Sequence, residues 1–311
     1  MVSNRMSPRR STVPKPPICK PPPPPKSPPL GGGYLGQHAT MPPWIVPLPP
    51  PPTTPPYAPI TTRNLLYHAY CPRGQASSSA NLYQLARAWP LFNGRRVIVI
   101  ATGPGLYSPR TIRRALGTDA EYLEYPNDPR LRESRHFADL LWTIRSTSSH
   151  EATFYAHTKG ASPLNNLGDD KHRAITSWRL EMYHALLDHW PTVEKALRRK
   201  PTCGTHLIDY SLHLDPVMRS PTGLRYGTWH YAGSFYWFRH DQVFTRHNWS
   251  CIPDDPWADE MWLGNLLPAS AAHTLFQPWT PTDPAHADPY SLAAHHPLRR
   301  DPPQAAHFLR R

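Results

Sequence analysis

Apolar positions from residue 64 onward switch repeatedly between two periods. Asn64-Leu-Leu-Tyr-His-Ala-Tyr70 reads as a short strand, and residues 79–89 place Leu82, Leu85, Ala86 and Trp89 on one helical face. After the turn Asn93-Gly94 comes Val97-Ile-Val-Ile-Ala101, a β-branched run that is apolar on both faces, as a buried parallel strand requires. Gly103-Pro104-Gly105 ends it, and Pro109 opens a helix that stops at Gly117. Glu121–Tyr125 is a third strand. Residues 131–146 form a helix with Phe137, Leu140, Leu141 and Ile144 inward, and Thr153–His157 is a fourth strand.

The second half has a different texture. Residues 172–200 are helical, with Ile175, Trp178, Met182 and Leu186 at helical spacing and a restart at Pro191. His230–Phe238 reads as one aromatic strand. Asp241 caps a short helix, and a loop at 253–258 leads into a helix over about 259–267. Strands alternating with helices of this length predict an α/β fold, a single Rossmann-like domain over residues 61–280 with a mostly parallel central sheet and helices on both faces.

Composition sets the limits of that domain. Of the 42 prolines, 21 precede residue 61, in runs such as Pro21–Pro25 and Pro49–Pro52. Proline fixes φ and removes an N–H donor, so residues 1–60 read as a disordered tail, a candidate for a polyproline-binding partner. Residues 281–311 read as a second, irregular proline-rich tail. The net charge of +12 divides accordingly: residues 1–60 carry six basic residues and no acids, and the central domain holds about +5. That mild excess suits an anionic substrate better than nucleic acid, which calls for a clustered basic face.

The four cysteines are scattered, which speaks against a disulfide framework or a structural zinc and fits a reducing compartment. No apolar stretch follows the basic N-terminus and no run is long enough to span a membrane, so a cytoplasmic location is expected.

Three clusters sit at strand ends or loops, where open α/β sheets bind ligands. His157-Thr158-Lys159-Gly160 follows a strand directly, and its cations and backbone N–H groups suit a phosphate; a solvated polar loop is the plain alternative. In Tyr231-Ala-Gly-Ser-Phe-Tyr-Trp-Phe-Arg239, a glycine and a serine interrupt an aromatic strand. Tyr231, Gly233 and Ser234 are the site candidates there, while Phe235, Trp237 and Phe238 suit the core. In Trp257-Ala-Asp-Glu-Met-Trp262, Asp259 and Glu260 open a helix beside two tryptophans. Either the helix dipole holds them as N-terminal acids, or burial tunes Glu260 as a general base.

Tyr155-Ala-His-Thr-Lys-Gly160, then Ala232-Gly-Ser-Phe-Tyr-Trp-Phe-Arg239, then Trp257-Ala-Asp-Glu260 resemble, in that order, segments of rhamnan-synthesis-F-type glycosyltransferases. The order is also similar to the acceptor side of inverting galactosyltransferases with the GT-A fold. The resemblance spans about residues 64–276. It implies a GT-A-like domain that moves a sugar from a nucleotide-sugar donor to a glycan or other hydroxyl acceptor, in cell-surface polysaccharide synthesis. His157, Lys159 and Gly160 would hold the donor. Tyr231, Gly233, Ser234 and Trp257 would hold the acceptor, and Glu260, with Asp259 in reserve, would be the base.

The Asp-x-Asp of metal-dependent members is missing. Asp254-Asp255 and Asp169-Asp170 are the pairs that remain for Mn²⁺ or Mg²⁺, and a metal-independent site using His157 and Lys159 is preferred. The rival classes are a non-catalytic glycan- or nucleotide-binding module and a nucleic-acid-associated protein acting through the basic tail.

Overall fold

β1 (Thr62–Ala69), β2 (Arg96–Thr102) and β4 (Glu151–His157) each carry five or six consecutive buried residues. Strands so uniformly apolar are stable only when both sheet faces are covered. In the computed structural model, which describes residues 56–161, 169–209, 227–276 and 300–310, they form the centre of a seven-stranded sheet. Most of the expected N-terminal tail falls outside those residues.

The remaining strands are β3 (Glu121–Pro126), β5 (Thr202–Gly204), β8 (Tyr236–Arg239) and β9 (Ala272–Thr274), in the order β3-β2-β1-β4-β8-β5-β9. β3, β2, β1 and β4 are mutually parallel, and β8 runs antiparallel to β4 and β5. β3 lies at the edge, with no buried residue and a terminal proline, as an edge strand tolerates. β6 (Leu207–Asp209) and β7 (Trp229–Tyr231) make a separate antiparallel pair.

The two faces follow from the two-residue period of a strand. Leu65, Tyr67, Ile98, Ile100 and Phe154 point to one side, where α1 (Ala76–Arg87), α2 (Pro109–Leu116), α4 (Asp169–Tyr183) and α5 (Trp190–Leu197) cover them. Leu66, Val97, Val99 and Tyr155 point to the other, under α3 (Phe137–Ile144), the short α6 (His240–Val243) and α7 (Ala258–Leu266). α2 begins as its sequence dictates: Ser108 accepts the Thr111 N–H at 3.2 Å and Pro109 takes the first position. Among the described residues no helix is long and apolar enough to cross a membrane.

Three expectations are corrected in detail. The helix over 131–146 is a 3-10 turn, Arg132–His136, followed by α3. The long helix over 172–200 breaks into α4, a π-helical turn (His184–Asp188) and α5. The aromatic strand 230–238 is two strands, β7 and β8, because Gly233 and Ser234 adopt φ of 90° and 57° and turn the chain between them. At the C-terminal end, Pro303–Arg310 forms a 3-10 helix with Ala305 and Leu309 buried, and Phe308 packs edge-on against Tyr83 of α1. Asp301 pairs with the buried Arg179 of α4.

Order also starts a few residues before β1. Arg239, fully buried, donates to the carbonyls of Ala58 and Ser149, pairs with Asp241, and lies 4.8 Å from the Tyr57 ring.

Candidate active site at the carboxyl edge of the sheet

The strand order places a topological switch between β1 and β4, since β2 and β3 lie to one side of β1 and β4 to the other. Ligands of open α/β sheets bind outside the carboxyl ends at such a point. There, His68 of β1 stands beside His157 of β4 in register. Thr158 ties the two strand ends together: its hydroxyl donates to the Tyr70 carbonyl at 2.6 Å and accepts the Tyr70 N–H at 2.9 Å. Gly160 turns the chain away with φ 72°, and a Cβ there would lie 2.7 Å from Ile175.

Lys159 remains as the cation of that loop. Its Nζ rests 4.3 Å over the Trp178 ring, and its carbonyl accepts from Asn81 at 2.9 Å. His157 has a different part. Its Nε2 donates to the Gly233 carbonyl at 3.2 Å, and its Nδ1 lies 3.7 Å from Glu133. Burial, with Lys159 alongside, pushes its pKa down to about 4, so it stays neutral at physiological pH. The expected phosphate-binding histidine is therefore a neutral strut between β4 and the β7–β8 turn, and the positive charge there comes from Lys159.

Gly233 is the hinge of the arrangement. Its carbonyl takes His157, and its N–H donates to Glu260 Oε1 at 2.7 Å. A Cβ on it would meet Met182 and Trp178 of α4 at 3.1 Å. Glu260 also lies 3.7 Å from His230, and its side chain is 26% exposed, so it is both fixed and open to a ligand.

Asp259, its neighbour, faces inward at 1% exposure. It accepts from Ser134 at 2.6 Å and from Tyr155 at 2.9 Å. Both carboxylate oxygens are engaged by protein partners, one by each hydroxyl. Burial first, then Glu133, raises its pKa to about 7. Glu133 is itself raised by burial. Carboxylates crowded in a water-poor space do not all ionise together.

The raised pKa has a sign. Proton binding to Asp259 stabilises the fold fully below the ordinary carboxylate pKa, and that contribution is lost as pH rises through about 7. Asp259→Asn is therefore expected to gain stability relative to wild type between pH 5 and pH 8, by roughly 1–3 kcal/mol. Urea unfolding at the two pH values reads this, and an equal difference at both would refute it.

The expected acceptor set is only partly at the surface. Tyr231 is 1% exposed and its hydroxyl is used up, lying 3.0 Å from Thr202 Oγ1, donating to the His273 carbonyl and accepting the His273 N–H. It is a core residue joining β5, β7 and β9. Gly233 and Ser234 are buried and frame Glu260, while Trp257 is half-buried at the rim.

Asp254 and Asp255, one of the two candidate metal pairs, are held apart by their surroundings. Asp254 pairs with Arg130 at 3.0 Å and lies 4.0 Å from Arg135, with its side chain 64% exposed. Asp255 is fully buried and accepts the Trp257 N–H. Carboxylates so differently placed do not form one ligand set. Among the described residues, no three His, Cys, Asp or Glu side chains are grouped to hold an ion. The side chains of Asp169 and Asp170 lie outside the described residues.

Glu133, Ser134 and His230 were missed by sequence reasoning. Glu133 and Ser134 sit in a 3-10 turn that reads as ordinary helix, and His230 sits in an apparently continuous strand. Local pattern carries no sign of their convergence.

No protein-family model matches this chain, and no curated protein matches it in sequence. Among solved structures, a candidate nucleotide-diphospho-sugar transferase from Desulfovibrio desulfuricans G20 superposes with a TM-score of 0.33 over 75% of this chain and 94% of its own, at 9% identity. A likeness that low carries no functional argument.

Proposed function

We propose that this protein is a glycosyltransferase that moves a sugar from a nucleotide-sugar donor to a hydroxyl acceptor. The observation that carries the reading is Glu260: a carboxylate held by the Gly233 N–H at 2.7 Å, partly open, at the carboxyl edge of a parallel sheet that also carries Lys159. The donor lies outside β1 and β4, with its diphosphate near Lys159. Charge developing on the leaving diphosphate is met by that ammonium, which its seat on Trp178 holds at the loop.

The acceptor enters past Trp257. Its hydroxyl proton passes to Glu260 as its oxygen attacks the anomeric carbon and the bond to the diphosphate breaks. Attack from the side opposite the leaving group inverts the configuration. The Gly233 N–H fixes one carboxylate oxygen, which leaves the other to accept the proton. No step requires a metal ion.

Glu260→Gln keeps the shape and the Gly233 hydrogen bond but cannot take a proton. It is expected to lower nucleoside-diphosphate release by about 10²–10⁴-fold and to leave donor binding within a few-fold of wild type. The donor is found first by calorimetry against UDP-, GDP-, dTDP- and CMP-sugars. Turnover near the wild-type rate in the variant would remove Glu260 as base. Binding of a sugar nucleotide with no turnover in the wild type would favour the non-catalytic binding module.

A further inference from the structure

Away from the sheet edge, the joint between α4 and α5 carries a second cluster. The π-helical turn His184–Asp188 and the residue after it place two imidazoles together at the surface. His184 Nε2 and His189 Nε2 are 3.1 Å apart, and the two rings meet nearly at right angles, 82°, with centroids 4.6 Å apart. His184 Nδ1 lies 3.0 Å from Asp188 Oδ2, and Arg87 of α1 pairs with the other Asp188 oxygen. π-helical turns are uncommon and gather at functional sites.

The hydrogen positions follow from these partners. Asp188 accepts a hydrogen from His184 Nδ1, so the neutral His184 presents a lone pair at Nε2. His189 Nε2 then donates to it. A ring whose far nitrogen donates to a carboxylate has the outer-shell arrangement typical of metal-bound histidine. At a tetrahedral ion two nitrogens, each about 2.0–2.1 Å away, stand about 3.3–3.4 Å apart, so the two rings need to part by only a few tenths of an ångström to share one.

We infer that His184 and His189 form a two-imidazole clip for a divalent transition-metal ion such as Zn²⁺, with Asp188 orienting His184 and water filling the other positions. Imidazole nitrogen suits Zn²⁺, Ni²⁺ and Cu²⁺ and has little affinity for Mg²⁺ or Ca²⁺. As the ion binds, the His189 hydrogen moves from Nε2 to Nδ1. The ion ties the π-helical turn to the start of α5, where Thr192 and Val193 donate to the His189 carbonyl. It thereby braces the C-terminal end of α4, the helix whose Trp178 and Met182 back Gly233. The inference stands independently of the proposed glycosyl transfer.

The test is calorimetric titration of the untagged full-length chain with ZnCl₂ and, separately, MgCl₂, with thermal unfolding in parallel. The expected result is a one-to-one Zn²⁺ step absent with Mg²⁺, accompanied by a rise in unfolding temperature. His184→Ala and His189→Ala should each lose the step. Asp188→Asn should weaken it by at least about tenfold, and His247→Ala, an exposed histidine elsewhere, should leave it unchanged. All four positions are at least partly exposed, and circular dichroism confirms that each variant folds. A Zn²⁺ step that survives in the double variant His184→Ala/His189→Ala would overturn the proposal, as would the lack of any such step in the wild type.

Discussion

Gly264→Ala is expected to destabilise the protein by about 3 kcal/mol and to take the proposed site with it. Gly264 lies on α7 where that helix touches β7 backbone to backbone. A Cβ there would sit 1.9 Å from the Trp229 carbonyl oxygen and 3.0 Å from its carbon. A flexible side-chain tip moves aside cheaply, but a carbonyl inside a strand pair does not. Gly227 makes the reciprocal approach, with a Cβ position 2.0 Å from the Gly264 carbonyl oxygen.

The consequence reaches the site through helix geometry. Glu260 is one turn before Gly264, so both lie on the same face of α7. The close approach at Gly264 is what brings Glu260 within reach of Gly233 and His230. Urea unfolding checks the stability loss. Gly74→Ala is the comparison, since Gly74 has a positive φ but open space around it, and its cost is limited to about 1 kcal/mol of backbone strain. Equal losses in the two variants would sink the close-contact account.

The second large effect is a loss of stability on mild acidification. Burial pushes the pKa of His68 to about 3, of His157 to about 4 and of His240 to about 3, the last despite Glu151 at 3.3 Å from its ring. His240 is enclosed by Ser146 at 2.8 Å and Thr153 at 2.6 Å, and neither carries charge. All three values are depressed, so the unfolded chain binds protons that the native state refuses. Their stabilisation is complete above about pH 6.5 and drains away as pH falls toward the folded values.

Each histidine contributes about 1.4 kcal/mol per pH unit inside that window. Asp259 and Glu133, raised by burial, run the other way over part of it. The net expectation is a decline of at least about 1.4 kcal/mol per pH unit between pH 6 and pH 4.5, measured as the unfolding free energy in urea. His240→Gln keeps a hydrogen-bonding side chain without the titration and should make that decline shallower. A flat profile in the wild type would show that these rings are not buried neutral.

Much of the architecture was legible along the chain. Val97–Ala101 announced a two-sided buried strand because the run is short, β-branched and bounded by Gly94 and Gly103, and β2 lies there. Pro109 and Gly117 bounded α2 because one lacks an N–H and the other reaches φ 98°. The π-helical turn was not legible, since Met182 and Leu186 keep helical spacing through it. β5, β6 and β9 have three residues each, too few for a period to register.

The site was legible in parts, by location more than by role. Lys159, Gly233 and Glu260 stand out by pattern because strand ends and strand glycines tend to collect ligand contacts. Tyr231 was misplaced because an aromatic ring in a strand carries no mark of which way it points. His157 was assigned a charge that its burial removes.

The sequence by itself determined the alternation of elements, the strands covered on both faces and the turn glycines, because these depend on residue type and spacing within about ten positions. Tertiary structure alone decided that β8 inserts antiparallel beside β4, that Gly264 lets α7 touch β7, and that Glu133, His157, Asp259 and Glu260 crowd together at one edge of the sheet. Convergence of residues a hundred positions apart, and the ionisation states that follow from their crowding, are properties of packing and have no local signature.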